Sequence, residues 1–207
     1  ISNFTDFNAL SRFEQVGLRY VSSAKELKNP DLVIIPGTKN TMGDLKWLRQ
    51  SGLEAAIKKL AGRGTLIFGV CGGYQMLGMT LSDPHSVEEG GNMRGMELLP
   101  IDTVFEEKKV RTRVSAQVLP QQPPFESLSG AKVSGYEIHM GRTDRTGAPA
   151  LRLAQGGADW QDGAVGEHAF GSYLHGLFDR PELVDRLVGL LLDRRGLSLT
   201  HAAGPDS

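Results

Sequence analysis

Two short apolar segments, each followed by glycine at the second position after its end, constrain the fold of this chain more than any other feature. Asp31–Ile35 leads into Pro36-Gly37, and Thr65–Val70 leads into Cys71-Gly72-Gly73. Continuous apolar runs of this length, rich in β-branched residues, are typical of parallel strands that are buried on both faces. Apolar residues at helical spacing lie between the two runs, from Leu45 to Leu60. The pattern therefore predicts a βαβ unit.

The predicted fold class is α/β, with an open, mostly parallel central sheet and helices on both faces. Tyr74–Met79 is predicted as the helix after the second strand, and an apolar stripe from Leu183 to Leu192 predicts another, which Asp179 and Glu182 begin as a capping box. Strand-like segments in the second half predict partly antiparallel additions. These segments are Leu98–Phe105, Val110–Leu119, Lys132–His139, Ala150–Leu153 and Ala164–Leu174. We predict one domain over residues 1–195 and a flexible tail over 196–207.

Composition excludes several classes of protein. The 207 residues are 40% hydrophobic and 23% charged with a net charge of −1, which is typical of a globular protein and unfavourable for nucleic-acid binding. No apolar run approaches the roughly 20 residues that a membrane span needs, and no signal peptide is visible. One cysteine excludes an internal disulfide and zinc sites built on cysteine pairs, so we expect no metal site. We predict a cytoplasmic protein without nucleic-acid or membrane partners.

Cys71 is the candidate nucleophile. A nucleophile between a buried strand and a helix, flanked by glycines, is the arrangement called a nucleophile elbow. The N-terminus of the following helix favours the thiolate, and the backbone N–H of Gly72 is placed to stabilise an oxyanion. A second donor is expected from the Gly37 loop. The alternative is a buried, inert thiol, which is what most lone cysteines are.

A thiolate nucleophile needs a base, and five histidines are available. His139 and His175 each end an apolar run before a glycine, where a strand delivers a side chain to a site. His85 in a loop, His168 within a strand-like stretch and His201 in the tail are weaker candidates. Spacing alone leaves His139 and His175 both open.

Several motifs together resemble the glutamine amidotransferase domain of the cobyric acid synthase family. They are Asp31–Gly43 (DLVIIPGTKNTMG), Gly69–Gly78 (GVCGGYQMLG), Gly135–Thr143 (GYEIHMGRT) and Tyr173–Phe178 (YLHGLF). The resemblance runs in order from about residue 1 to residue 192, and Ile1–Leu10 resembles the junction with a preceding synthetase domain. It implies a flavodoxin-like, class I amidotransferase fold.

The resemblance also implies a mechanism. Cys71 would attack the side-chain amide of glutamine, His175 would act as base, and Gly37 and Gly72 would hold the oxyanion. Gln75 corresponds to a substrate-contacting position, although an ordinary helix-surface glutamine is an equal alternative. Many triad amidotransferases carry a glutamate two residues after the histidine, where this chain has Leu177, a change that the cobyric acid synthase motif shares. The site is therefore expected to work as a dyad or to use Glu137 or Asp179 as a third residue.

The resemblance further implies that ammonia passes to a synthetase domain of the same polypeptide, which amidates carboxylates of cobyrinic acid a,c-diamide. No P-loop motif occurs in this chain, so ATP and Mg²⁺ are expected in the preceding domain and no cofactor here. The alternatives are the matching domain of a cobyrinic acid a,c-diamide synthase or of a cell-wall isoglutaminyl synthase, a cysteine hydrolase, and a non-catalytic binding module.

Overall fold

The computed structural model describes residues 4–198, and the side chains of all of these except 4–6 and 108–111. Its helices are, in chain order, a 3-10 helix Phe4–Arg12, α1 (Ala24–Leu27), α2 (Thr41–Gln50), α3 (Leu53–Gly62), α4 (Gly72–Met76), a 3-10 turn Glu126–Leu128 and α5 (Pro181–Arg194). Its strands are β1 (Leu32–Ile35), β2 (Leu66–Val70), β3 (Thr80–Asp83), β4 (Gly91–Arg94), β5 (Ile101–Val118), β6 (Lys132–Arg145), β7 (Leu151–Gln155), β8 (Ala158–Asp162), β9 (Ala164–Val165), β10 (Ala169–Ser172) and β11 (Leu174–His175).

The first sheet carries the strand that precedes Cys71. Its order is β1-β2-β10-β9, in which β1 and β10 run parallel to β2 and only β9 is antiparallel. Every residue of β2 is buried, as a strand covered on both faces requires. Gly69 of β2 is paired with Ile35 on one side and with Gly171 on the other. The parallel sheet predicted from the two apolar runs is confirmed.

Alternate residues of β2 face two separate clusters of the core. Phe68 packs with Phe170 and with the apolar stripe of α5, and the two phenylalanine rings stack at 5.0 Å. Ile67 faces the other way, toward the residues that α2 and α3 bury. The burial of each side chain of this size stabilises the folded state by about 1.5 to 3 kcal/mol. The sheet thus has helices on both faces, in agreement with the predicted fold class.

The second sheet is mostly antiparallel and larger than expected. Its seven strands are ordered β11-β6-β5-β3-β4, with β7 joined to β5 and β8 to β7. The predicted strands Leu98–Phe105 and Val110–Leu119 form one strand, β5, which pairs with β6 both before and after the polar residues between them. The register shifts between Val104 and Lys109, which accommodates the irregularity without ending the strand.

Three other predictions differ from the structure. The helix predicted over Tyr74–Met79 lies at Gly72–Met76, since the tight turn at Cys71 leads straight into it. The segment Ala164–Leu174 contains three short strands, β9 to β11. The Asp179–Glu182 capping box is wrong, because Arg180 is the N-cap residue, makes no side-chain cap bond and precedes Pro181 at the first helical position. Strands β3, β4 and β8 were not predicted.

Helix α5 ends at Arg194, and Gly196 follows with a φ of 70°, as is common just after helix ends. The N–H of Leu197 donates to the carbonyl of Leu192 at 2.9 Å. Most of the predicted flexible tail, from residue 199 onward, lies outside the described residues. Within the described part of the chain, no helix combines the length and apolar character needed to cross a bilayer.

Candidate active site

Cys71 occupies the single residue between β2 and α4, in a backbone conformation that few side chains adopt. Its φ and ψ are 51° and −112°, and a non-glycine residue held at a positive φ of this kind costs about 1 to 3 kcal/mol. The N–H of Cys71 donates to the carbonyl of Ser172 at 2.9 Å, and its own carbonyl accepts from the N–H of Gln75 at 3.0 Å. The strained residue is thus fixed by the sheet on one side and by the helix on the other.

Glycines on both sides of the turn allow the backbone to pack this closely. A Cβ on Gly73 would lie 1.9 Å from the carbonyl oxygen of Ile35, and one on Gly72 would lie 2.5 Å from the Thr38 side chain. The same Gly72 position is 3.2 Å from the backbone nitrogen of Thr38. The start of α4 therefore lies directly against the loop that follows β1.

The thiol of Cys71 points toward the chain segment that follows β10. Its Sγ donates to the carbonyl oxygen of Tyr173 at 3.1 Å, and the residue as a whole is 6% exposed. Because β10 runs parallel to β2 and ends beside it, the residues after Ser172 emerge at the same edge of the sheet as Cys71. His175 is the second residue after Tyr173.

Gly37 shows how close the two predicted catalytic side chains lie. A Cβ on Gly37 would be 3.6 Å from the Cβ of Cys71 and 3.6 Å from the Cε1 of His175. The Cβ of Cys71 and the Cε1 of His175 are therefore at most twice that distance apart, beside the loop after β1. The structure brings together four residues that were predicted for the site from the sequence: Cys71, His175, Gly37 and Gly72.

His139, the other candidate base, is bound on both ring nitrogens. Its Nδ1 is 2.8 Å from the carbonyl of Gly141, its Nε2 is 3.3 Å from Glu137, and its ring stacks on Tyr173 with centroids 3.9 Å apart. Burial lowers the pKa of His139, but the bonds to Glu137 and Gly141 outweigh burial, so the net pKa is raised. Two acceptors favour the protonated ring, which has no lone pair left to accept a proton.

Because the pKa of His139 is raised, we expect its contribution to the free energy of unfolding to depend on pH. A histidine whose folded pKa exceeds its unfolded value stabilises the fold below the unfolded pKa of about 6.5, and this contribution is lost as the pH rises through the folded pKa. The stability difference between the wild type and His139→Gln should therefore be larger near pH 6 than near pH 9. Urea unfolding at the two pH values measures it. An equal difference at both values would contradict a charged His139.

The other histidines lie elsewhere or outside the described residues. His168 precedes β10, at the opposite end of the sheet from Cys71, and its carbonyl accepts from the N–H of Ile67 at 2.8 Å. His85 is exposed in the loop between β3 and β4, and His201 lies outside the described residues.

The two carboxylates considered as a third residue have different surroundings. Glu137 accepts from Trp160 Nε1 at 3.2 Å with one oxygen and faces His139 with the other. Asp179 Oδ2 would lie 3.1 Å from a Cβ on Gly176, the residue after His175. Leu177 is buried in the core, 1% exposed, so its side chain adds to the packing there.

Gln75 is buried, and the alternative of a helix-surface residue is wrong. Its side chain is 4% exposed; Oε1 accepts from the hydroxyl of Thr41 at 3.0 Å, and Nε2 donates to the hydroxyl of Tyr173 at 2.9 Å. Nε2 is also 3.3 Å from the carbonyl of Met140. Gln75 thus links α4 to the start of α2 and to β6, behind the thiol. Its role in binding substrate stays a prediction.

Tyr173 connects most of the polar groups behind the site, and the sequence did not single it out. Its N–H donates to Asp162 at 3.1 Å, and its hydroxyl contacts Thr143 as well as Gln75. Burial raises the pKa of Tyr173 to about 12, although the bonds from Thr143 and Gln75 oppose the rise, and burial also raises the pKa of Asp162. Tyr173 lies in the YLHGLF motif, which was the only available signal.

Comparisons with known proteins show the family and the fold of this chain. The family model described as the CobB/CobQ-like glutamine amidotransferase domain matches residues 1–183. The cobyric acid synthase of Ruminiclostridium cellulolyticum is 50% identical over 203 residues, and that of Moorella thermoacetica is 50% identical over 204 residues. Each match covers 95% of this chain and 40% of the relative, so the chain spans about two fifths of the length of these curated relatives. A crystal structure of a glutamine amidotransferase superimposes with a TM-score of 0.62 at 18% identity, covering 95% of both chains, and shows a shared fold.

Proposed function

This chain belongs to the CobB/CobQ-like glutamine amidotransferase family, and on that premise we propose that Cys71 and His175 hydrolyse glutamine to release ammonia. The observation that carries the proposal is the position of both side chains against Gly37, at the edge of the sheet where parallel strands end. Ligands of open α/β sheets bind at this edge. The strained backbone of Cys71 supports a nucleophile elbow, since strain of this kind clusters at functional sites.

The proposed reaction has two halves. The Cys71 sulfur attacks the side-chain amide carbon of glutamine while His175 accepts the thiol proton and returns it to the departing ammonia, which leaves a thioester. Water then attacks the thioester, releases glutamate and restores the thiol. Each attack places negative charge on the carbonyl oxygen, and the N–H groups of Gly72 and of the Gly37–Thr38 loop are the proposed donors to it. The hydrogen bonds of Gln75 and Tyr173 hold the start of α2 and the segment after β10 in place beside these donors.

The released ammonia has a proposed destination. The relatives that match are named cobyric acid synthases and are about two and a half times as long as the matched region, which supports a synthetase partner in the same polypeptide. We assign to that partner the ATP- and Mg²⁺-dependent amidation of corrin carboxylates. The cytoplasm is the proposed location, because a nucleophilic cysteine must stay reduced, as it does in that compartment.

One experiment tests the proposed function. The natural polypeptide that carries this sequence is incubated with glutamine, glutamate release is measured, and the protein is then treated with a chloroketone analogue of glutamine. We expect glutamate release, and its loss once Cys71 is labelled as shown by peptide mass spectrometry. Because Cys71 is only 6% exposed, labelling also measures access of a glutamine-shaped molecule to the thiol. Survival of glutamine together with an unmodified Cys71 would favour a binding module over an enzyme.

A further inference from the structure

The start of helix α2 is held by a carboxylate that comes from a distant part of the chain. Glu88, in the loop between β3 and β4, accepts the N–H of Thr41 at 3.1 Å with one oxygen and the N–H of Met42 at 2.9 Å with the other. The first N–H groups of a helix have no partner within the helix, so a carboxylate that binds two of them stabilises the first turn. Glu88 is half-buried, and burial raises its pKa.

The loop that presents Glu88 is itself fixed. Asp83, at the end of β3, is 1% exposed and accepts the N–H groups of Val87, Glu88 and Gly90, each at 2.8 Å. Three charge-assisted bonds to backbone N–H groups within four residues of the chain hold the loop in one conformation. Glu88 therefore contacts α2 from a loop whose conformation is already fixed.

The turn of α2 that Glu88 holds is connected to both sides of the site. On one side, Thr38, which lies against Gly72, donates its hydroxyl to Asp44, and Asn40 accepts the N–H of Gly43 at 3.0 Å. On the other side, the Thr41 hydroxyl donates to Gln75, which reaches the Tyr173 hydroxyl. A shift of this turn would move the backbone of the Gly37–Thr38 loop relative to Gly72.

We propose that Glu88 is a positioning residue, which fixes the first turn of α2 and thereby sets the backbone donors of the Gly37–Thr38 loop beside Gly72 before glutamine binds. The inference rests on the proposed function, because it assigns Glu88 a part in stabilising the oxyanion of that reaction. Donors that are fixed in advance need no reorganisation when charge develops, and small displacements of such groups are costly.

The neighbouring residue provides a matched control. Glu89 has the same side chain and belongs to the same loop, but its contacts are with side chains near the surface: Lys46 Nζ at 2.5 Å and Asn40 Nδ2 at 3.3 Å. Replacing it with glutamine removes one exposed ion pair, which contributes about 0 to 1 kcal/mol at most sites. Glu88→Gln instead turns one acceptor into an NH₂ group that faces a backbone N–H, and leaves that donor unsatisfied.

The test compares E88Q and E89Q in the natural polypeptide. For E88Q we expect kcat for glutamine hydrolysis to fall about tenfold while KM changes less than about threefold. The reason is that the loop donors that Glu88 positions act on the oxyanion of the transition state. For E89Q we expect both constants within about twofold of the wild type. The second measurement is the rate at which iodoacetamide alkylates Cys71, a displacement that forms no oxyanion. It should be unchanged in both variants.

The outcomes are distinguishable. An active wild type with E88Q as active as E89Q overturns the role of Glu88, and so does a parallel fall in kcat and alkylation rate, because the thiol or the whole fold is then affected. A wild type that does not hydrolyse glutamine contradicts the proposed function itself. If E88Q does not fold, Glu88→Asp replaces it: the charge is kept but one methylene is lost, and kcat should again fall while alkylation is retained. Full activity in the folded aspartate variant would overturn the inference.

Discussion

Replacing His175 with alanine should lower the kcat for glutamine hydrolysis by about a thousandfold, the contribution of one general acid–base group. The reason is its position: its Cε1 and the Cβ of Cys71 each lie 3.6 Å from the place that a Cβ on Gly37 would occupy. The imidazole is the proposed group that takes the thiol proton and returns it to ammonia, and alanine can do neither. Steady-state release of glutamate by the natural polypeptide measures the effect, and Cys71→Ala, which has no nucleophile, sets the background rate.

His139→Gln is the matched control for His175→Ala. Both histidines lie close to Tyr173, but His139 is bound to Glu137 and Gly141 through its ring nitrogens. We expect His139→Gln to lower kcat by less than about tenfold, because its effect on the reaction is only through packing. A larger loss for His139→Gln than for His175→Ala would reverse the assignment of the base.

Replacing Gly73 with alanine should prevent folding. The added methyl carbon would lie 1.9 Å from the carbonyl oxygen of Ile35 and 2.6 Å from its carbonyl carbon, both of them backbone atoms at the end of β1, where Ile35 is paired with Gly69 of β2. Neither atom can move without separating β1 from β2, so the expected cost exceeds about 4 kcal/mol, a large part of the stability of an ordinary domain. Thermal unfolding and yield of soluble protein measure this.

Gly189 in α5 offers the opposite case. A Cβ built there meets no atom within 4 Å. Because alanine restricts the unfolded chain more than glycine does, Gly189→Ala should stabilise the protein by about 0.5 to 1 kcal/mol. A Gly73→Ala protein as stable as the wild type would mean that the turn after Cys71 does not pack against β1 as described.

The part of the fold that the sequence predicts well is the part with a strong local signal. The runs Asp31–Ile35 and Thr65–Val70 became β1 and β2 almost to the residue, because a strand buried on both faces must be apolar throughout. The polar strand β4 leaves no such pattern, since its residues are mostly exposed. The joined strand β5 was missed for a related reason: it continues through a polar segment because it pairs with β6 before and after that segment.

The same distinction holds for the site. The turn at Cys71 could be predicted from neighbouring residues, whereas spacing alone left His139 and His175 open. What separates them in the structure is the parallel pairing of β10 with β2, which brings the segment after Ser172 to the thiol. Glu88 could not be predicted at all, because its contact with α2 joins residues 46 and 47 positions apart in the chain.

Cys71 and His175 belong to different sheets: one follows β2, and the other lies in β11, paired with β6. Only Tyr173 separates the end of β10 from the start of β11. The distance between the sulfur and the imidazole therefore depends on how the two sheets are placed relative to each other across this one residue. A molecule that bound β5 or β6 and displaced the second sheet would change that distance without contacting either side chain.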